Sequence, residues 1–213
     1  MGDVTLVARA NPLAGLKSPT AKGLGQVGRA TESVLLVLDG SGSMAGTPWD
    51  ELREAVEQFV GATSPGTSRV GLVVFGGSAD LFCPFTADLG KVLERMPEEA
   101  PGGGTNMRGA LALAATLEWA GPPWRVIFMS DGEPTTGDPV GEVKRLASLG
   151  IVVDTVACMG ACDSDVLAEM AKAGGGVFVA CAHVSDLARA FKSLSSGVRG
   201  LLGTSPRKGG GTG

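Results

Sequence analysis

Five short apolar runs, at residues 34–38, 70–75, 126–129, 151–157 and 177–180, punctuate the chain and are rich in valine and isoleucine. Runs of this length with little alternation suit parallel strands covered on both faces. Helical spacing fills most of the gaps. Leu52, Val56, Phe59 and Val60 form one stripe, and Met107, Leu111, Ala114 and Leu117 a second. Val140, Val143, Leu146 and Ala147 form a third, and Leu187, Phe191 and Leu194 the last. The first helix has a marked start, with Thr47 as N-cap, Pro48 at the first helical position and Asp50 where a capping box places Glu. Asp138-Pro139 opens the third in the same manner.

A sixth run, residues 79–85, follows the second strand after only Gly76-Gly77-Ser78. Three residues cannot carry a parallel crossover, so the chain must turn back as a hairpin, and Pro84 places this strand at a sheet edge. The fold class expected is α/β: a doubly wound, mostly parallel six-stranded sheet with one antiparallel edge strand and helices on both faces. Ligands of such sheets sit at the carboxyl ends of the strands, near the topological switch point.

Length and composition narrow this further. The chain has 213 residues, enough for one domain of ordinary size with tails. The expected division is an N-terminal extension over 1–31, the domain over 32–200 and a flexible tail over 201–213. The apolar runs, such as 34–38 and 110–115, fall far short of the ~18–20 residues of a membrane span. No basic start followed by an apolar stretch opens the chain, so the expectation is a cytoplasmic protein without membrane contact. The net charge is −4, but it is unevenly spread. Residues 1–30 hold Arg9, Lys17, Lys22 and Arg29 against Asp3, and the last residues hold Arg199, Arg207 and Lys208 without an acid. The body between them is strongly acidic. That argues against a nucleic-acid surface and suits a cation, a basic partner or simple solubility.

The strand ends carry the candidate chemistry. Asp39-Gly40-Ser41-Gly42-Ser43-Met44 follows the first strand, where alternating glycines let one carboxylate and two hydroxyls turn to a common point. Ser130-Asp131-Gly132-Glu133 follows the strand at 126–129, and Gly102-Gly103-Gly104-Thr105 precedes a helix with a third hydroxyl. Oxygen donors alone, with few carboxylates, favour Mg²⁺ or Mn²⁺ over zinc.

In these three loops the sequence resembles the von Willebrand factor A domain family and its metal-ion-dependent adhesion site. Asp39, Ser41, Ser43, Thr105 and Asp131 match that site position by position, over a resemblance spanning about 33–198. The resemblance implies direct metal contact from Ser41, Ser43 and Thr105, and contact through water from Asp39 and Asp131. It implies a binding module rather than an enzyme, with a partner protein supplying an Asp or Glu to the open metal position. Residues 131–135 look most like bacterial intracellular members of the tellurite-resistance-associated, stress-response type, whose partners come from a shared operon. Two rival readings use the same residues. One is a metal-dependent phosphate hydrolase with Glu133 as the nearby base, and the other a structural subunit with a vestigial site.

Gly23-Leu24-Gly25-Gln26-Val27-Gly28 fits a dinucleotide fingerprint, but no strand precedes it, so nucleotide binding is not expected. Cys83 reads as a small core residue on the edge strand. Cys158 and Cys162 follow one strand, while Cys181 and His183 follow another. If those strands are neighbours, the four could hold zinc or form a redox pair; buried thiols are the default. The apolar piece within residues 4–10 could add to the sheet edge beside 79–85, or residues 1–31 could be a leader with no such contact.

Overall fold

The structure, a computed structural model, describes residues 32–63, 68–158, 164–181, 186–187 and 189–191. The N-terminal extension with its glycine fingerprint, Cys162, His183, Leu194 and the C-terminal tail lie outside the described residues. Six strands form one sheet: β1 (Glu32–Asp39), β2 (Ser68–Phe75), β3 (Ala79–Thr86), β4 (Trp124–Ser130), β5 (Ile151–Cys158) and β6 (Gly175–Cys181). Their order is β3-β2-β1-β4-β5-β6. All neighbours run parallel except β2 and β3. The hairpin and its edge position are as the short Gly-Gly-Ser turn requires, with an irregular register around Leu72.

The helices delimited among the described residues cover the two faces: α1 (Thr47–Ala62), α2 (Gly90–Arg95), α3 (Met107–Ala114), α4 (Pro139–Ser148) and α5 (Ser164–Ala173). Leu36 and Leu38 of β1 point into a layer shared with Trp49, Leu52, Val56 and Phe59 of α1, Val92 of α2, and Leu187 and Phe191. Leu35 and Val37 point the other way, onto Met107 and Leu111 of α3, Val143 of α4, and Leu167 and Met170 of α5. Alternation along one strand therefore feeds two separate cores, which is why β1 reads as uninterrupted apolar sequence. Aromatic pairs support each layer. Phe59 meets Phe191 edge to face at 6.0 Å, and Phe75 stacks on Phe128 at 5.1 Å.

Two details differ from the sequence expectation. The cap of α1 is Gly46 and not Thr47: the Gly46 carbonyl accepts from the amides of Trp49 and Asp50, and its φ of 74° suits glycine. Leu117 lies beyond the end of α3, although it still packs on that layer as a partly buried side chain. The start of α4 is as expected, with the Asp138 carboxylate accepting from the amide of Val140 at 2.9 Å.

A buried ion pair ties three strands together. Arg125 on β4 reaches Glu32 of β1 at 3.2 Å on one side and the fully buried Asp154 of β5 on the other. Asp154 also accepts from the amide of Val177 at 2.7 Å, where the β5–β6 register slips between Val153 and Thr155. The carboxylate thus satisfies a strand amide at the irregularity. Removing Arg125 leaves the buried Asp154 carboxylate without a cation, so Arg125→Ala should cost about 3–5 kcal/mol in urea denaturation.

Candidate metal centre

β1 and β4 are adjacent, yet the chain leaves β1 toward β2 and leaves β4 toward β5. Their carboxyl ends therefore border the crevice at the topological switch point. Asp39 is the last residue of β1, and Asp131 directly follows β4. The tight turn after β1 folds into a 3-10 helix over Gly42–Met44, whose Met44 is buried and anchors the loop to the core.

The hydrogen bonds run through the expected residues in a chain. One oxygen of Asp39 accepts from the amide of Ser41 at 2.8 Å, and the other accepts from the Ser130 hydroxyl. The hydroxyls of Ser41 and Ser43 lie 3.1 Å apart. Ser43 in turn donates to Asp131 at 3.0 Å. Asp39, Ser41, Thr105 and Asp131 are buried, whereas Ser43 lies exposed at the mouth. Four of the five expected residues are thus in direct contact.

The fifth, Thr105, is brought alongside by backbone. The Thr105 amide donates to the Thr135 hydroxyl at 3.1 Å, and the Thr135 amide donates to the Thr105 carbonyl at 3.0 Å. That two-point clamp fastens the Thr105 loop to the segment after Asp131. The same loop is sewn to the other strand ends, with Gly102 donating to Gly40 at 2.8 Å, Gly42 to Gly103 at 3.1 Å and Asn106 to Gly76 at 2.9 Å. Glycine is needed where these backbones meet: a β-carbon on Gly76 would collide with the Gly102 carbonyl.

Burial pushes the Asp39 carboxyl above its usual range, opposed by hydrogen bonds from Ser130 and Ser41 and reinforced by the Asp131 charge. No basic side chain figures among these influences. Two acids and two hydroxyls in one hydrogen-bonded cluster, with Thr105 held alongside, offer the oxygen donors that suit a hard divalent cation. Among the described residues no group of three or more His, Cys, Asp or Glu gathers that could hold a metal ion. Glu133 lies exposed on the rim.

Sequence reasoning assigned no role to Ser130 or Thr135. Ser130 sits beside Asp131 in a run already singled out, so its hydroxyl was a visible signal. The Thr135 clamp had none, because it depends on how two distant loops approach. Of the cysteines, Cys83 is buried on β3, and Cys158 and Cys181 are buried at the ends of β5 and β6.

Comparison with known proteins agrees with this geometry. Residues 34–133 match the family model for the von Willebrand factor type A domain. No curated protein matches the chain. Among solved structures, an aerotolerance-related membrane protein from Bacteroides fragilis is 20% identical, with a TM-score of 0.65, covering 78% of this chain and 98% of its own. A von Willebrand factor type A protein from Catenulispora acidiphila is 18% identical with a TM-score of 0.71, covering 78% of this chain and 42% of its own. Proximal thread matrix protein 1 from the mussel byssus, solved with zinc in its metal-ion-dependent adhesion site, is 17% identical with a TM-score of 0.66, covering 80% of this chain and 46% of its own. Over residues 34–133 the chain is similar to the von Willebrand factor type A domain, and its fold is the one these structures share. Such domains are generally protein-interaction modules. Among the described residues no helix is long and apolar enough to cross a membrane.

Forcing the loops apart should show in both stability and exchange. Gly76→Ala is expected to cost about 1–3 kcal/mol through overpacking. It should also accelerate amide hydrogen exchange at Gly102 and Asn106, whose bonds cross that contact.

Proposed function

We propose that this domain binds a partner protein through a divalent cation, Mg²⁺ or Mn²⁺ in its place, held by Asp39, Ser41, Ser43, Thr105 and Asp131. The observation that carries the reading is the cluster itself. Two buried carboxylates and the Ser41 and Ser43 hydroxyls join in one hydrogen-bonded cluster at the switch point, with the Thr105 loop clamped alongside, Ser43 exposed and no basic residue among the influences on Asp39. Hydroxyl ligands are neutral, and with both acids acting through water no carboxylate of this chain touches the ion directly, which leaves it an open position toward solvent. An Asp or Glu of the partner fits that vacancy as a charge-assisted contact. Ser130 orients Asp39, and the Thr135 clamp keeps Thr105 with Asp131. The tellurite-resistance-type assignment rests on residues 131–135 alone and is no part of the proposal.

The ion should offset the cost of the buried Asp39 charge. Saturating Mg²⁺ or Mn²⁺ is expected to raise Tm, by the equivalent of about 2.7 kcal/mol at a hundredfold excess over Kd. Asp39→Asn removes the charge and keeps the side-chain shape, with one oxygen still accepting and an NH2 group that donates in place of the other. In EDTA this variant should melt at or above the unchanged protein, and metal should no longer raise its Tm. A variant that keeps the metal-dependent rise would remove Asp39 from the site.

The binding role has its own test. Tagged protein drawn from its native lysate in Mg²⁺ should hold a partner that EDTA releases and that Asp39→Ala fails to hold. A partner retained equally in EDTA would place the interaction elsewhere on the molecule. Phosphatase activity that survives purification and disappears in Asp39→Ala would replace the binding reading with the hydrolytic one.

A further inference from the structure

The cysteines at the far side of the sheet form a pair that the metal site does not use. Cys158 ends β5, Cys181 ends β6, and the two are register partners across parallel strands. Both are buried, carried as thiols, and belong to the same core layer, so their side chains leave the sheet on one face. Register partners in a sheet stand about 4.8 Å apart, inside the ~4.4–6.8 Å over which two Cα atoms accept a disulfide. Bonding also needs the β-carbons drawn in to about 3.8 Å, a modest pinch of the strands. Among the described residues β6 is the edge strand, with β5 as its one neighbour in the sheet, and its register with β5 already slips once. It can take up that pinch without disturbing a second strand. Cys83 lies on β3 at the opposite edge and has no such partner position.

We infer that Cys158 and Cys181 are a modification site, a thiol pair that peroxide converts to a reversible disulfide linking β5 to the edge strand β6. The sulfur of Cys181, the more exposed of the two at 7%, attacks the peroxide O–O bond. One oxygen leaves as water and the other stays as a sulfenic acid. The Cys158 sulfur then attacks Cys181, the S–O bond breaks and a second water leaves. In balance, two thiols and one hydrogen peroxide give one disulfide and two waters. Burial pushes the Cys181 thiol above its usual range, so its thiolate is scarce at neutral pH and the reaction is slow. This fits a pair that responds to sustained oxidant. The link would lie one strand from the metal loops, since Ala157, the residue before Cys158, is in register with Ser130. The inference is independent of the metal reading.

The full chain, fully reduced, is treated with hydrogen peroxide, its remaining thiols are blocked under denaturing conditions, and the peptides are mapped by mass spectrometry. The expected product joins Cys158 to Cys181, leaves Cys83 as a blockable thiol and reverts with dithiothreitol. Because Cys158 and Cys162 fall on one tryptic peptide, the same map of Cys162→Ser assigns the sulfur, and the cross-link should persist there. Cys158→Ser and Cys181→Ser should each abolish it. If either variant fails to fold, the Cys162→Ser map decides alone. Cross-linking that vanishes in Cys162→Ser, or oxidation that ends in sulfinic acid without a link, would overturn the assignment.

Discussion

A carboxylate without solvent at the end of the central strand is the constraint around which the rest is arranged. Asp39 is fully buried, flanked by a second acid, and no basic residue figures among its influences. A charge in that position is costly unless its oxygens are satisfied, and the structure satisfies them from three directions: an amide from its own turn, a hydroxyl from β4, and the polar cluster in front. The glycines of the surrounding loops exist so that these backbones can approach closely enough to do this. Gly76 against Gly102 is the tightest such approach, and a single methyl there has nowhere to go.

Strand order turns that local problem into a site. β1 and β4 carry the two acids at neighbouring strand ends whose following segments depart to opposite sides, and the loops with Ser41, Ser43 and Thr105 border the gap between those departures. The two core layers hold the strands in place. Alternate residues of β1 are packed against α1 on one face and α3 on the other, so β1 cannot slide by one residue without exchanging Leu36 and Leu38 for Leu35 and Val37. Rigid strands with polar ends are what allow weak hydroxyl donors to be held ready.

Much of this was legible in the chain. The apolar runs marked all six strands, the three-residue Gly76-Gly77-Ser78 turn demanded the antiparallel edge, and Asp39, Ser41, Ser43 and Asp131 stood at strand ends where the topology now joins them. Asp138 announced α4 correctly. Helices α2 and α5 were not singled out: α2 is short and buries only Val92, and α5 was overshadowed by the cysteines around it. The misread cap of α1 has a plain cause. Thr47 is the better capping side chain, but no side-chain cap forms there, and the carbonyl of Gly46 does the work.

The sequence by itself determined the class of fold and the oxygen-only character of the site, because strand periodicity and residue chemistry are local properties that do not depend on distant partners. Tertiary structure alone decided which side chains support that site and which thiols face each other in register. Ser130 on Asp39, Thr135 on Thr105, Arg125 between Glu32 and Asp154, and Cys158 beside Cys181 all join residues from separate strands or loops. Their pairing is set by register and by the departure of loops at the switch point. Those are outcomes of packing two apolar layers at once, and no window of sequence contains them.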